Sequence, residues 1–200
     1  MLRVLVTWSA VASAKCIYDT LPPSVNLTLV WNFSYCKSSK SASCYVNRSC
    51  VEQQKPVKSF EAIGDFSDSP DTDGHMNGYD KVYDWSLFIA PPNMISYTLN
   101  GYPRIELSPT FKWPPRLANL ALDGNLITTL PPLPPTLTSL SVASTAIISL
   151  ENLDFSNLTF LDISSTPLKT IKNVTFSSKM FTLEAANSTT LSMYLLFIGI

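Results

Sequence analysis

The side chains of this sequence that are suited to acid–base or phosphoryl chemistry are few. The 200 residues contain a single histidine, His75, and six glycines. A serine hydrolase would need His75 as its general base, but the sequence has no G-x-S-x-G nucleophile elbow. None of the glycines forms a G-x-G-x-x-G or P-loop motif that could cradle a phosphate. The sequence therefore does not favour histidine-based hydrolysis or phosphoryl transfer, and no cofactor is expected.

An acidic tract around 71–74, with the sequence Asp-Thr-Asp-Gly, has the oxygen-rich character of a calcium loop. An EF-hand loop needs an oxygen ligand at its fifth position, glycine at its sixth and glutamate at its twelfth. Here those positions are His75, Met76 and Val82. The preferred interpretation is a solvated acidic loop without metal, and a calcium site of another geometry is the alternative.

All four cysteines lie within the first 50 residues, at Cys16, Cys36, Cys44 and Cys50. An even number of cysteines at the start of a secreted chain predicts two disulfides, and the sequence leaves all three pairings open. A zinc site is the alternative. It would lack both a C-x-x-C pair and a nearby histidine, so the disulfides are favoured.

Several features place the chain in an oxidising compartment. Residues 1–14 have one positive charge, a short apolar run and an A-x-A site ending at Ala14, which is the pattern of a secretory signal peptide. An apolar first strand is the alternative. Six N-x-S/T sequons predict N-glycosylation; they lie at Asn26, Asn32, Asn47, Asn157, Asn173 and Asn187.

The composition predicts a polar but weakly charged surface. Charged residues make up 14% of the chain, against about 25% in an average soluble protein. Serine, threonine and asparagine supply the remaining polarity, with 26, 18 and 12 residues. A formal net charge of −1 provides no field that would attract DNA or RNA, so nucleic acid is not an expected partner.

The chain divides into four segments after the leader. A cysteine-rich cap at 15–60 is followed by an acidic loop and lead-in at 61–93, repeats at 94–190 and an apolar tail at 191–200. Ten residues do not cross a bilayer. The tail has three interpretations: a truncated receptor, a last coil that buries its own end, or a GPI-type signal. A membrane partner is expected only if the chain is extended or lipid-anchored.

The repeats follow the pattern L-x-x-L-x-L-x-x-N every 20 to 23 residues. Their first positions are Met94, Leu117, Leu137, Leu158 and Met180. The period of two in L-x-L predicts a short strand with one buried face. Prolines between copies favour an extended return segment, so neighbouring coils should stack their strands into a parallel sheet. The Asn position, filled by Asn125 and then by hydroxyl residues, is expected to form an imperfect polar ladder.

The repeat segment resembles the leucine-rich repeat family, whose period is 20 to 29 residues. The resemblance implies an α/β-type solenoid with short parallel strands on a concave face, a mostly irregular, polyproline or 3-10 convex side, and a disulfide-bearing N-terminal cap. The leader, the four cysteines and the proline-rich repeats are similar to those of secreted or receptor-type repeat proteins of oomycete-like eukaryotes. The resemblance implies extracellular, receptor-like recognition of a protein, peptide or glycan without catalysis.

The outward strand positions are the expected ligand-binding surface. They are Asn119, Asp123, Ser139, Ser141, Phe160, Asp162, Ser164, Thr182 and Glu184. A basic or hydroxyl-rich partner fits this small, acidic and polar set best. Asp162 and Glu184 would share one strand position on adjacent coils, as a glycosidase pair could, but an open strand surface lacks the apolar pocket that raises a catalytic pKa. A merely solvated face, a structural wall or coat glycoprotein, and a secreted hydrolase are the alternatives.

Overall fold

We analysed the protein in a computed structural model. The leader predicted at residues 1–14 and the tail predicted at 191–200 lie outside the residues that it describes. The described residues are 15–38, 43–54, 60–78, 82–103, 105, 107, 110–130 and 132–188.

The chain folds as a mostly parallel β-solenoid of about five turns. Its elements are a 3-10 turn at Ile17–Thr20 and the strands β1 (Leu27–Val30), β2 (Cys44–Asn47), β3 (Glu52–Gln53), β4 (Ala62–Ile63), β5 (Asp73–Asn77), β6 (Ser96–Asn100), β7 (Asn119–Ala121), β8 (Ser139–Ser141), β9 (Ser149–Glu151), β10 (Asp154–Phe155), β11 (Phe160–Asp162), β12 (Thr170–Lys172), β13 (Thr175–Phe176) and β14 (Thr182–Glu184). No α-helix occurs among these elements, so the structure supports a β-solenoid rather than an α/β arrangement.

A six-stranded parallel sheet in the order β14-β11-β8-β7-β6-β5 forms one side of the solenoid. The leucine pattern explains its register. Leu140 pairs with Leu120 on one neighbouring strand and with Leu161 on the other, and all three are at most 2% exposed. Each buried leucine stabilises the fold by roughly 1.5 to 3 kcal/mol, but only when a neighbouring coil covers it. The predicted stacking of the repeats is confirmed.

The opposite side of the solenoid, which we call the return side, differs between the coils. In its described residues the return after β6 and the return after β7 contain no strand, as expected from their prolines. In the later coils β9 pairs with β12 and β10 pairs with β13, both in parallel. Phe155 is 1% exposed there, and its ring packs edge-on against that of Phe176. The expectation of a mostly irregular return side is therefore correct only for the proline-rich coils.

The N-terminal segment forms a small sheet in the order β3-β2-β1-β4. Both predicted disulfides are present, and their pairing is Cys16 with Cys50 and Cys36 with Cys44. Strand β1 pairs antiparallel with β2 but parallel with β4, which joins this sheet to the first coil. The sheet has its own buried cluster, in which Tyr18 is fully buried.

The acidic tract contacts the cap through hydrogen bonds that its carboxylates accept. The Glu61 carboxylate accepts hydrogen bonds from the backbone N–H groups of Asn26 and Leu27, and the Asp68 carboxylate accepts one from Phe33 N–H. Asp65, 8% exposed, accepts a hydrogen bond from the Asn32 side chain at 2.9 Å. These carboxylates therefore satisfy backbone donors at the junction between the cap and the first coil.

The tract that the sequence assigns to an acidic loop contributes strands β4 and β5. Strand β5 is the terminal strand of the six-stranded sheet, so the stacked strands begin one coil earlier than the leucine pattern indicates. Gly74 occupies the inward position that pairs with Tyr97, and the Tyr97 ring lies directly over it. The glycine does not break regular structure here. It makes room for an aromatic side chain of the next coil.

Replacing Gly74 by alanine is expected to lower the free energy of unfolding by about 1 to 3 kcal/mol, the usual cost of overpacking a core. The added Cβ would lie 2.6 Å from two atoms of the Tyr97 ring. Urea denaturation of Gly74→Ala measures the cost. In a Tyr97→Leu background, which removes the ring, the same substitution should cost markedly less; an equal cost in both backgrounds would contradict this packing.

Candidate functional site

The outer surface of the six-stranded sheet, which we call the strand face, carries two straight rows of side chains. The pairing registers align Asp73, Ser96, Asn119, Ser139, Phe160 and Thr182 in the first row. They align His75, Thr98, Ala121, Ser141, Asp162 and Glu184 in the second. None of these residues is buried. Since adjacent strands lie about 4.8 Å apart, each row spans about 24 Å.

The strand face is acidic. Asp73, Asp162 and Glu184 lie in its two rows, and Asp123 lies just beyond the end of β7. The rows contain no lysine or arginine. Asp162 and Glu184 are direct partners across β11 and β14, as predicted from the repeat alignment. The face therefore offers carboxylate, amide and hydroxyl groups to a partner, with Phe160 as its one large apolar side chain.

Several of the predicted ligand-binding residues make hydrogen bonds within the protein. Asp123 Oδ1 accepts a hydrogen bond from Ser141 Oγ at 2.6 Å and another from the Ala143 backbone N–H at 2.9 Å. Asp123 thus links its own coil to the next one. Asp162 Oδ1 accepts only the nearby Ser164 N–H, at 2.8 Å, within the described contacts. Asp162 is consequently the better placed carboxylate for an external partner.

The N-terminal third of the strand face was missed by sequence reasoning. Its polar residues include His75 and Asn77 of β5 and Asn100 of β6. The Asn77 side-chain amide contacts the His75 ring nitrogen Nε2 at 2.8 Å, and Asn100 Oδ1 accepts a hydrogen bond from the Asp123 N–H. Alternation of small and polar residues along β5 was the available signal, but glycine in the place of leucine hid it.

A second candidate site is an apolar cavity of about 830 Å³ on the return side. Its floor is formed by Leu99 and Leu122, which point inward from the sheet and are at most 2% exposed. Its walls include Phe111, Trp113 and Leu133. This cavity was not predicted from the sequence. It is not lined by Asp162 or Glu184, so it supplies no apolar surroundings for that pair of carboxylates.

The sequons lie off the two rows of the strand face. Asn26, Asn32 and Asn47 are in the cap, and Asn157 and Asn173 lie in the later coils. The Asn32 side-chain nitrogen donates hydrogen bonds to both Asp65 and Ser67, which uses both of its N–H groups. The sixth sequon residue, Asn187, is exposed in the turn after β14. Glycans at the exposed positions would leave the rows uncovered.

Among the described residues, no group of three or more His, Cys, Asp or Glu side chains is arranged to hold a metal ion. Within the same residues, no helix has the length and apolar character to span a membrane. No protein-family model matches the chain, and neither a curated protein nor a solved structure is significantly similar to it. The function is therefore argued from the geometry of the strand face and the cavity.

Proposed function

We propose that this chain is an extracellular recognition module that binds a protein, peptide or glycan through the strand face and carries out no catalysis. The observation that carries the proposal is the straight alignment of exposed side chains over six adjacent strands. Such a surface presents a fixed two-dimensional array of hydrogen-bonding groups on rigid backbone, which suits recognition of an extended partner.

The charge of the strand face selects the chemistry of the partner. Asp73, Asp162 and Glu184 favour lysine, arginine or hydroxyl groups over acidic ones, because like charges placed together across an interface are unfavourable. Phe160 supplies a single aromatic anchor next to Asp162. We therefore propose a basic or hydroxyl-rich segment as the partner.

An extracellular location rests on the two disulfides, which are consistent with an oxidising compartment. No cysteine in the described residues is free. The leader and the sequons support the same proposal, because a secreted chain acquires both its glycans and its disulfides in the secretory pathway. The position of the sequons outside the two rows supports the strand face as the binding surface.

We also propose that the coils are leucine-rich repeats of the secreted or receptor type. The coil from Leu117 to Asn125 fulfils the pattern L-x-x-L-x-L-x-x-N completely. The buried Asn125 contacts the backbone of both its own coil and the preceding one, which is a role that the pattern requires of asparagine. An experimental structure in which Asn125 does not connect the two coils would contradict this membership.

The double variant Phe160→Ala/Asp162→Ala is expected to weaken partner binding by at least about tenfold, because it removes the aromatic anchor and its neighbouring charge. Thermal unfolding should change little, since both side chains are partly exposed. Binding is measured on arrays of lysine- and arginine-rich peptides, acidic peptides and glycans, and then by calorimetry with the strongest hit.

The matched control is Phe181→Ala/Glu151→Ala, which removes an exposed aromatic ring and a carboxylate outside the two rows. It should bind like the parent protein. Equal weakening by both double variants, or a preference for acidic peptides, would contradict recognition through the strand face. Loss of thermal stability together with binding in Phe160→Ala/Asp162→Ala alone would assign those two residues to packing.

A further inference from the structure

The apolar cavity on the return side exists because the proline-rich coils do not fill the interior. In the later coils, Leu150, Phe155 and Leu168 close the space beneath the sheet and are at most 1% exposed. In the coils that follow β6 and β7, the corresponding side chains, such as Ile105 and Ile127, remain only partly buried. Prolines lack the backbone N–H that would let these returns pair as β9 and β12 do, so the two walls stand apart.

A hydrogen bond from Trp113 joins the two walls. The Trp113 indole N–H donates to the Pro132 carbonyl oxygen of the next coil. This bond holds an aromatic ring at the side of the cavity and occupies the indole donor of Trp113. The Thr136 hydroxyl, also in the lining, donates to the Leu117 carbonyl oxygen at 2.7 Å. Two of the polar groups that line the cavity are therefore already satisfied by the protein.

Lys112 and Thr129 are the remaining polar side chains among the described residues of the lining, and both are exposed at its rim. Within the described part of the chain neither makes a side-chain hydrogen bond or ion pair that would occupy it. No carboxylate is found among the lining residues that the structure describes. The lining thus combines an apolar interior with one cation and one hydroxyl at the opening, which is the arrangement of a small-molecule site with few polar groups that fix orientation.

We infer that this cavity binds one amphipathic molecule, a long-chain carboxylic acid. Its hydrocarbon body would replace water against Leu99, Leu122 and Phe111, and its carboxylate would accept hydrogen bonds from Lys112 and Thr129 at the rim. The volume of about 830 Å³ lies within the usual range of ligand sites, roughly 300 to 1,000 Å³. The positive charge selects an acid over the matching alcohol. This inference uses a different surface from the strand face and does not depend on it.

Equilibrium dialysis with labelled oleate, kept below its micelle-forming concentration, tests the inference. Thr129→Trp places an indole in the opening and should abolish oleate binding. The matched control Thr128→Trp adds the same indole at the neighbouring exposed residue, which does not line the cavity. It should bind like the parent. Urea denaturation of both variants establishes that they are folded.

Two further variants separate the head group from the hydrocarbon body. Lys112→Glu should weaken oleate binding by about tenfold, because the new carboxylate would repel the carboxylate of oleate at the rim. Binding of the uncharged oleyl alcohol should be unchanged. Arg116→Glu makes the same charge change outside the lining and should affect neither ligand. A brominated stearate should quench the parent protein's fluorescence more strongly than that of Trp113→Phe, because bromine quenches an indole that it touches.

The inference is overturned if oleate does not bind the parent protein, or if Thr129→Trp and Thr128→Trp bind it equally. Equal weakening by Lys112→Glu and Arg116→Glu would also overturn it. Oleate binding would then depend on the net charge of the protein and not on the charge at the rim of the cavity. Capture of a proline-rich peptide at this cavity with no oleate binding would assign the cavity to a macromolecular partner and reject the fatty acid.

Discussion

Replacing Asn125 by leucine is expected to lower the free energy of unfolding by about 3 to 5 kcal/mol, which is exceptional for one substitution. The Asn125 side chain is fully buried. Its Oδ1 accepts a hydrogen bond from the Tyr102 backbone N–H at 2.6 Å, and its Nδ2 donates to the carbonyl oxygens of Leu99 and Leu122 at 2.6 and 2.8 Å. Leucine would leave three buried backbone groups unpaired, each costing about 1 to 3 kcal/mol.

Thr145→Val is the matched control for Asn125→Leu. Thr145 occupies the same position one coil later, and its hydroxyl makes one hydrogen bond, to the Val142 carbonyl oxygen at 2.8 Å. It does not bridge to the preceding coil in the described contacts, so its loss should cost only about 1 kcal/mol. Urea denaturation measures both variants, and the Tyr102 amide should exchange faster with solvent in Asn125→Leu. Equal costs for the two variants would show that bridging between coils is unimportant.

This asymmetry was predictable from the side chains. Asparagine carries a carbonyl acceptor and two N–H donors, whereas threonine has one hydroxyl, so the sequence predicted a ladder that weakens after Asn125. Thr166 also donates to the carbonyl oxygen three residues before it, and its hydroxyl lies 3.5 Å from that of Ser188, which reaches back to the preceding coil by donating to the Ile163 carbonyl oxygen. The turn itself recurs. A residue of positive φ precedes the ladder residue in each coil from β6 on, at Gly101, Gly124, Ser144, Ser165 and Asn187.

The parts of the fold that sequence reasoning missed share one cause. The leucine pattern predicts a coil only where the coil supplies its own inward leucines. In β5 the inward residues are Gly74 and Met76, and the neighbouring Tyr97 fills the space over Gly74. The pattern therefore begins one coil too late, and His75 and Asn77 were assigned to a loop. Packing between coils decides such positions, and it cannot be read from a single repeat.

The cavity was missed for a related reason. The sequence predicted that the proline-rich return segments are simple extended connections. As their prolines indicated, these segments do not pair as strands in their described residues. Whether two such returns close on each other depends on the distance between them, which the residue pattern does not specify. Phe111 and Trp113 lie outside the repeat pattern, and both remain partly exposed at the cavity.

Stability is expected to fall steeply above pH 10, because three tyrosines are buried. Tyr18, Tyr97 and Tyr102 are at most 3% exposed, and burial raises the pKa of each well above its ordinary value of 10.0. The unfolded chain loses these protons near pH 10, whereas the folded protein retains them. The stabilisation is therefore complete below pH 10 and is lost as the pH rises from there through the folded-state pKa values.

Each of these tyrosines should lower the free energy of unfolding by about 1.4 kcal/mol per pH unit, so the three together contribute about 4 kcal/mol per unit. A domain with the usual stability of about 5 to 15 kcal/mol would then unfold within about one to four pH units above 10. Urea denaturation at a series of alkaline pH values measures the slope. Of the eight tyrosines, these three should contribute tyrosinate absorbance only together with unfolding.

Tyr97→Phe is the variant that isolates one of these protons. The Tyr97 hydroxyl contacts only the Met76 sulfur, at 3.1 Å, among the described contacts, so its removal should change stability little at neutral pH. Tyr18 is less suitable because its hydroxyl accepts the Asp65 backbone N–H. The alkaline slope of Tyr97→Phe should be smaller than that of the parent protein by about one third. An unchanged slope would mean that Tyr97 titrates alike in the folded and unfolded chain, which a ring buried beneath the sheet and against Gly74 does not allow.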